Sequence, residues 1–307
     1  ARIALRVNPD VDPKTHAKIA TGGKETKFGI PFEEAPRLYA RAARLPGIAV
    51  AGIHMHIGSQ ITRLAPFKRA FRLLRALVVD LRARGHAISH VDIGGGLGVP
   101  YRGTNDVPPH PEEYGALVKA AFGDLDLRVI AEPGRMIVGN AGILVTRVIY
   151  VKKGAEKTFV IVDAAMNDLI RPTLYDAHHD IWPILEKRRR RTNVMVDVVG
   201  PVCETGDYLA LARPMPPARQ GDLLAFMTAG AYGAVQSGTY NTRLLVPEVL
   251  VRGGEHAVVR PRQTYDALIG LDALAPWQEA NGAADSARKP RVVAAAKVKS
   301  ARREPMR

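Results

Sequence analysis

Two histidines, His54 and His56, stand two residues apart in the segment GIHMHIGSQ, residues 52–60. In a strand that spacing puts both imidazoles on one face, where they could hold a metal ion or lie against a bound ring. A metal site asks for further ligands. The other histidines (His16, His86, His90, His110, His178, His179 and His256) fall in loops, helices or surface-like stretches, and no strand end supplies the remaining His or Asp, so no metal is expected. The plainer alternative is a pair of hydrogen-bonded histidines inside a sheet. Gly58 and Ser59, small and hydroxyl-bearing, suit close approach by a phosphate.

The next glycine-rich stretch, DIGGGLG at 92–98, lacks the G-x-G-x-x-G spacing that opens a dinucleotide-binding helix and runs on into Pro100 and a polar loop. It could be a simple tight turn. Backbone N–H groups at Gly95 and Gly96, at the end of a strand, also suit a phosphate. AEPGR at 131–135 places Glu132, Pro133, Gly134 and Arg135 at a further strand end. Glu132 and Arg135 could merely pair with each other. Against a pyridine ring, Glu132 would keep the ring nitrogen protonated, and Arg135 would offer its planar fork to a phosphate or carboxylate.

Three later groups carry chemistry-bearing side chains: Arg171 and Tyr175 in MNDLIRPTLYDAHH; Cys203, Glu204 and Asp207 in GPVCETGD; and Tyr232 and Tyr240 in TAGAYGAVQSGTYN. Singly, each reads as an ordinary loop, and Cys203 as a small buried apolar residue.

The elements that must position these residues change character along the chain. Up to residue 138, short β-branched runs alternate with amphipathic stretches, giving four β/α steps and hence a parallel sheet. Phe67, Phe71, Leu74, Val78 and Leu81 mark one such helix. Each strand run ends in polar or glycine-rich residues, the habit of β/α barrels and open α/β sheets. Four steps are half of an eight-stranded barrel. From 139 to 277, strand-like runs follow one another without long helices, so an antiparallel β-barrel or sandwich is expected. Residues 278–307 form a third region, expected to be a disordered basic tail.

The 307 residues are 47% hydrophobic and carry a formal charge of +14. Much of that excess is local: from Glu279 to Arg307, eight Lys/Arg face three Asp/Glu, a net of +5. The basic run Lys187–Arg191 reads as a solvated loop, and no aromatic interleaving of the kind that binds nucleic acid accompanies it. No nucleic-acid partner is expected. No apolar run is long enough to span a membrane and the opening ARIALRVNPD lacks a signal-peptide core, so a cytoplasmic address is the default. One cysteine excludes an internal disulfide.

Taken in order, HIGSQ, DIGGGLG, EPGR, MNDLIRPTLYDAHH, CETGD and GAYG resemble the diaminopimelate decarboxylases, pyridoxal-phosphate enzymes of alanine-racemase-like fold. The likeness runs from RVNPD at residues 6–10 to RPRQTYDALIGLD near residue 272. It implies decarboxylation of meso-diaminopimelate to L-lysine with pyridoxal phosphate as cofactor, on the later half of a barrel followed by the β domain. Carried across by motif, His56 would stack on the cofactor ring, while Ser59, Gly95, Gly96 and Glu132 to Arg135 would hold ring and phosphate. Arg135, Arg171, Tyr175 and Glu204 would hold the substrate, Cys203 would donate the proton, and Tyr232 would close over the cofactor near its phosphate. A homodimer is implied, in which Cys203 and Glu204 reach the neighbouring subunit's site.

The sequence departs from the family in one respect: the Y-A-x-K-A-N segment that bears the Schiff-base lysine is absent. Lys27, in ETKFGI, belongs to a different strand end and is not expected to replace it. The expectation is an N-terminally shortened chain that is inactive alone. The alternatives are a same-fold decarboxylase acting on carboxynorspermidine, ornithine or arginine, or a non-catalytic fragment that binds a partner or cofactor.

Overall fold

The computed structural model describes residues 1–13, 15–19, 21–23, 26–103, 107–275 and 278. The basic tail expected at 278–307 therefore lies outside the described residues, apart from Gln278. No helix among the described residues is long and apolar enough to cross a membrane.

The first unit is a parallel sheet. Its strands are β1 (Arg2–Asn8), β2 (Ile30–Pro31), β3 (Ala49–Met55), β4 (His90–Asp92) and β5 (Arg128–Ile130), in the order β2-β1-β3-β4-β5. Every neighbouring pair is parallel. The two-residue β2 escapes sequence reading because it is too short to show a period. Helices α1 (Ala35–Ala42), α2 (Leu64–Ala83) and α3 (Pro111–Phe122) connect the strands, and the short α4 (Arg135–Val138) follows β5.

On α2, the stripe Phe67, Phe71, Leu74, Val78 and Leu81 is buried and packs with Ile53 and Val91 of the sheet in one apolar core. That burial, roughly 1.5–3 kcal/mol for each large apolar side chain, is what holds the strands in register. Helix α3 starts on a reciprocal cap: the His110 ring accepts from the Glu112 N–H, and the His110 N–H donates to the Glu113 carboxylate.

The second unit is a six-stranded sheet of β6 (Leu144–Lys153), β7 (Thr158–Val162), β8 (Ile181–Pro183), β9 (Val194–Val199), β10 (Tyr208–Met215) and β11 (Leu223–Phe226), in the order β10-β9-β7-β6-β11-β8. It is not wholly antiparallel as the sequence suggests, because β7 and β9 run parallel. The segment between them holds α5 (Arg171–Tyr175), β8 and α6 (Glu186–Arg189). It is long enough to carry the chain back to its starting end, which parallel pairing demands. A separate hairpin of β12 (Glu248–Arg252) and β13 (Glu255–Arg260), with α7 (Tyr265–Ile269), follows.

The basic run at 187–191 is exposed as expected except at half-buried Arg188, but it enters a short helix, α6, rather than a loop. Arg188 pairs with Asp222, and the Arg189 guanidinium lies 4.9 Å from the centre of the Trp182 ring. A guanidinium stacks on an aromatic face more readily than an ammonium, which is why an arginine-rich run can fold back in this way.

Candidate active site

The parallel register decides which strand-end side chains meet. Arg6 of β1 pairs with His54 of β3, His54 with Asp92 of β4, and Asp92 with Ile130 of β5. Glu132 lies two residues beyond Ile130, on the same side of the extended chain. The result is a charged row across the strand ends. One potential ligand atom from each of His54, Asp92 and Glu132 lies within 4.8 Å of the others, with His54 Nε2 at 3.6 Å from the Glu132 carboxylate. The expectation that no strand end places an acid beside the histidines is thus corrected. Sequence distance conceals what in-register pairing of β3 and β4 brings together. Glu132 and Arg135, three positions apart, do not pair with each other: Glu132 faces His54, and Arg135 turns to Ser59.

His56, just past β3, is held by its ring. Its Nδ1 accepts from the Gly95 N–H at 3.1 Å, so the ring's remaining proton sits on Nε2. Burial pulls its pKa from 6.5 to about 4, with the charges of Arg6 and His54 adding to the effect. The imidazole is neutral at ordinary pH. The glycines around it are packed against backbone: a Cβ on Gly95 would stand 2.3 Å from the Glu132 carbonyl oxygen, and one on Gly96 2.2 Å from that of Gly58. Gly96 also has φ of +106°, which L side chains rarely adopt. Only bare backbone brings the three strand ends this close.

Beside this row opens a cavity of about 500 Å³, lined by His56, Ser59, Arg135, Arg171, Tyr175 and Tyr232 among others. Arg135 is buried at the start of α4 and donates from Nε (3.3 Å) and Nη2 (3.0 Å) to the Ser59 hydroxyl. Its Nη1 donates to the Tyr101 hydroxyl, and its guanidinium lies 4.7 Å from the centre of the Tyr232 ring. Tyr232 sits at φ +58°, a strained left-handed conformation for a residue with a Cβ, as functional loops often tolerate. Arg171, 5% exposed at the first position of α5, stacks 4.3 Å over the Tyr101 ring. Burial lowers its pKa, although a guanidinium stays charged. The Tyr175 hydroxyl accepts from Gln236 at 3.4 Å.

Of the residues given a cofactor or substrate role from sequence, His56, Ser59, Arg135, Arg171, Tyr175 and Tyr232 therefore line one cavity. Gly95 is tied to His56 through its N–H, the Glu132 N–H donates to the Gly94 carbonyl at 2.9 Å, and Gly96 packs against the Gly58 carbonyl. Pro133 and Gly134 form the turn from β5 into α4. Cys203 and Glu204 are exposed and do not line the cavity; Glu204 accepts from the Gly206 N–H at 3.0 Å within its own turn. Lys27 does reach the cavity wall, with its ammonium 5.2 Å from the Phe28 ring centre.

Sequence reading passed over Tyr101, which joins both arginines, and His179, which meets Arg171. Tyr101's only signal is a lone aromatic in a polar loop; His179's is its place four residues after Tyr175.

The donor set suits pyridoxal phosphate. The Glu132 carboxylate, beside a buried His54 Nε2 that makes no hydrogen bond, could meet a ring nitrogen; the neutral His56 imidazole could meet a ring face; and the cationic, hydroxyl-lined corner at Arg135 and Ser59 could hold a phosphate.

The sequence profile of the family described as pyridoxal-dependent decarboxylase, pyridoxal binding domain, matches residues 1–139. Among curated proteins, a diaminopimelate decarboxylase of Zymomonas mobilis is 47% identical over 277 residues, covering 90% of this chain and 65% of that protein. That of Vibrio cholerae is 49% identical with the same coverage. The chain thus spans about 65% of the length of these relatives. Among solved structures, a diaminopimelate decarboxylase from Helicobacter pylori complexed with L-lysine superposes with a TM-score of 0.82 at 38% identity, covering 92% of this chain and 68% of that one.

Proposed function

The chain belongs to the diaminopimelate decarboxylase family of pyridoxal-dependent decarboxylases, and from that premise we propose that its cavity takes pyridoxal phosphate and meso-diaminopimelate, releasing carbon dioxide and L-lysine. In this reading the five parallel strands belong to the later part of an eight-stranded barrel. The observation that carries the substrate assignment is the presence of two buried arginines in one cavity, Arg135 and Arg171. A cofactor phosphate engages one. Ornithine and arginine offer no second carboxylate, whereas the distal end of diaminopimelate does, and a planar guanidinium binds it bidentately.

Bound pyridoxal phosphate supplies an electron sink for the pair left behind when carbon dioxide departs. The protein's part is positional and electrostatic. Glu132 would favour a protonated ring nitrogen, and His56, oriented by the Gly95 N–H, would offer the ring a neutral imidazole. Ser59, Arg135 and Gly96 hold the phosphate, with Tyr232 closing over it. Arg171 and Tyr175 take the distal carboxylate end, and Glu204, from a second subunit, takes the ammonium beside it. Cys203 of that same second subunit returns the proton to the carbon that lost its carboxylate. The assembly is a homodimer with shared sites, working in the cytoplasm.

No Y-A-x-K-A-N stretch occurs in the 307 residues. The 307-residue chain by itself is proposed to form no borohydride-reducible adduct and to turn over no substrate. The substrate assignment is tested by joining these residues to the lysine-bearing segment of the Vibrio cholerae relative and measuring carbon dioxide release. Release from meso-diaminopimelate but not from ornithine, arginine or carboxynorspermidine is expected; preference for any of the latter three overturns the assignment.

A further inference from the structure

Among the buried polar groups that take no part in the proposed chemistry, one lies against Arg171. His179 is fully buried, yet it belongs to none of the roles assigned above. Its two ring nitrogens have fixed partners: Nε2 lies 2.7 Å from Arg171 Nη1, and Nδ1 lies 2.9 Å from the Met227 carbonyl oxygen. A guanidinium only donates and a carbonyl only accepts. Nε2 must therefore be the bare acceptor and Nδ1 must carry the proton, which leaves a single compatible state, the neutral Nδ1–H tautomer.

We propose that His179 is the positioning residue for Arg171, holding the guanidinium toward the cavity through an uncharged acceptor; the proposal rests on Arg171 being the group that reads the distal carboxylate.

The chemistry of the contact explains why a histidine is suited to it. An aspartate at this place would also fix Arg171, but it would neutralise the cation and compete with the incoming carboxylate. A neutral imidazole takes up one N–H of five and leaves the positive charge available. No ion pair to Arg171 exists among the described residues. His179 is itself fixed from three sides, through its backbone and its ring. The Arg213 Nη1 donates to the His179 backbone carbonyl at 2.6 Å, the Met227 carbonyl holds the Nδ1 proton, and the Tyr101 ring meets the imidazole edge-on at 5.2 Å. Tyr101 also underlies Arg171 at 4.3 Å, so guanidinium, phenol and imidazole form one packed unit. Protonation of Nε2 would set two cations face to face. Consistent with that, burial first, and the Arg171 charge as well, pull the His179 pKa down to about 4.

The first test reads the imidazole directly. In nitrogen-correlated NMR spectra of the 307-residue chain, His179 is expected as the Nδ1–H tautomer, with the Nε2 resonance moved by Arg171→Met. An Nε2–H tautomer, or indifference to Arg171→Met, overturns the proposal.

The second test uses the enzyme completed with the lysine-bearing segment. His179→Leu is expected to raise KM for meso-diaminopimelate about tenfold or more, the loss of one charge-assisted hydrogen bond, with a much smaller change in kcat. Inhibition by cadaverine, which has both amines and no carboxylate, is expected to hold. His179→Gln, which can present an acceptor oxygen near the Nε2 position, is expected to recover most of the loss. Equal weakening toward both ligands indicates a merely structural role and overturns the proposal. Arg171→Ala separates the two ideas: an unchanged KM there sinks the carboxylate reading, whereas a raised KM there with an unchanged one in His179→Leu sinks only the role of His179.

Discussion

The Gly95 N–H donates to His56 Nδ1 across 3.1 Å, joining the end of β4 to the end of β3. One backbone group thereby sets both the tautomer and the plane of the imidazole. Gly95 has a further constraint, since any Cβ there would meet the Glu132 carbonyl oxygen at 2.3 Å. Gly95→Ala is therefore expected to push the β4 and β5 ends apart, destabilising the fold by about 2–3 kcal/mol through overpacking. Urea unfolding measures this, and pyridoxal phosphate binding, followed by quenching of protein fluorescence, should weaken in parallel. A variant of wild-type stability would mean that the strand ends yield more easily than their backbone contacts indicate.

Burial of neutral imidazoles has a consequence for acid stability. His56 and His179 both have pKa values pulled from 6.5 to about 4, burial being the main cause in each. Between those values the unfolded chain binds protons that the folded chain refuses. Stability therefore falls as pH drops from 6.5 toward 4, and these two groups leave it flat above that window. Unfolding near the middle of the window should take up about two protons on their account. Urea midpoints measured across the window should decline, and less steeply in His179→Gln; parallel slopes for the two proteins would exclude His179 as a source.

Much of this arrangement is legible in the order of residues, and the part that is not has a common cause. Polar residues that end apolar runs, at His56, Gly95 and Glu132, stand out because a parallel sheet gathers its strand ends on one side. The α2 stripe stands out through its period. What is hidden depends on register or on distant packing. Asp92 meets His54 only because β3 and β4 align in register, and Tyr101 can join Arg135 to Arg171 only because the loop after β4 reaches the second unit, where Arg171 lies. The same holds for His179, whose neighbours lie in α5, β10 and the segment after β11. The parallel β7–β9 pair is concealed in turn, since strand-like runs carry no sign of direction.

Glu132 gives a prediction in the completed enzyme. Its carboxylate, 3.6 Å from His54 Nε2, is assigned to the cofactor's ring nitrogen. Glu132→Gln keeps the shape and removes the charge that sustains a protonated ring. A fall in kcat of about a hundredfold or more is expected, typical of losing a preorganised electrostatic partner, with KM little altered. Nitrogen NMR of ring-labelled cofactor should show the ring nitrogen unprotonated in the variant. A protonated ring nitrogen with full kcat would remove Glu132 from this role.

Cys203 and Glu204 are both exposed, and neither lines the cavity of its own chain. If they complete the neighbouring subunit's site, a defect in Cys203 and a defect in Arg171 reside in different sites of a mixed dimer. Cys203→Ala and Arg171→Ala homodimers of the completed enzyme should each be nearly inactive. In a mixed dimer, one site receives both substitutions and the other receives neither. Random pairing makes half of the dimers mixed, each with one working site of two, so co-expression should restore about a quarter of wild-type activity, as two-fold symmetry requires. Size-exclusion chromatography with light scattering would establish the dimer independently. Were the sites confined to single chains, every site in the mixture would carry one defect or the other, and no activity would return.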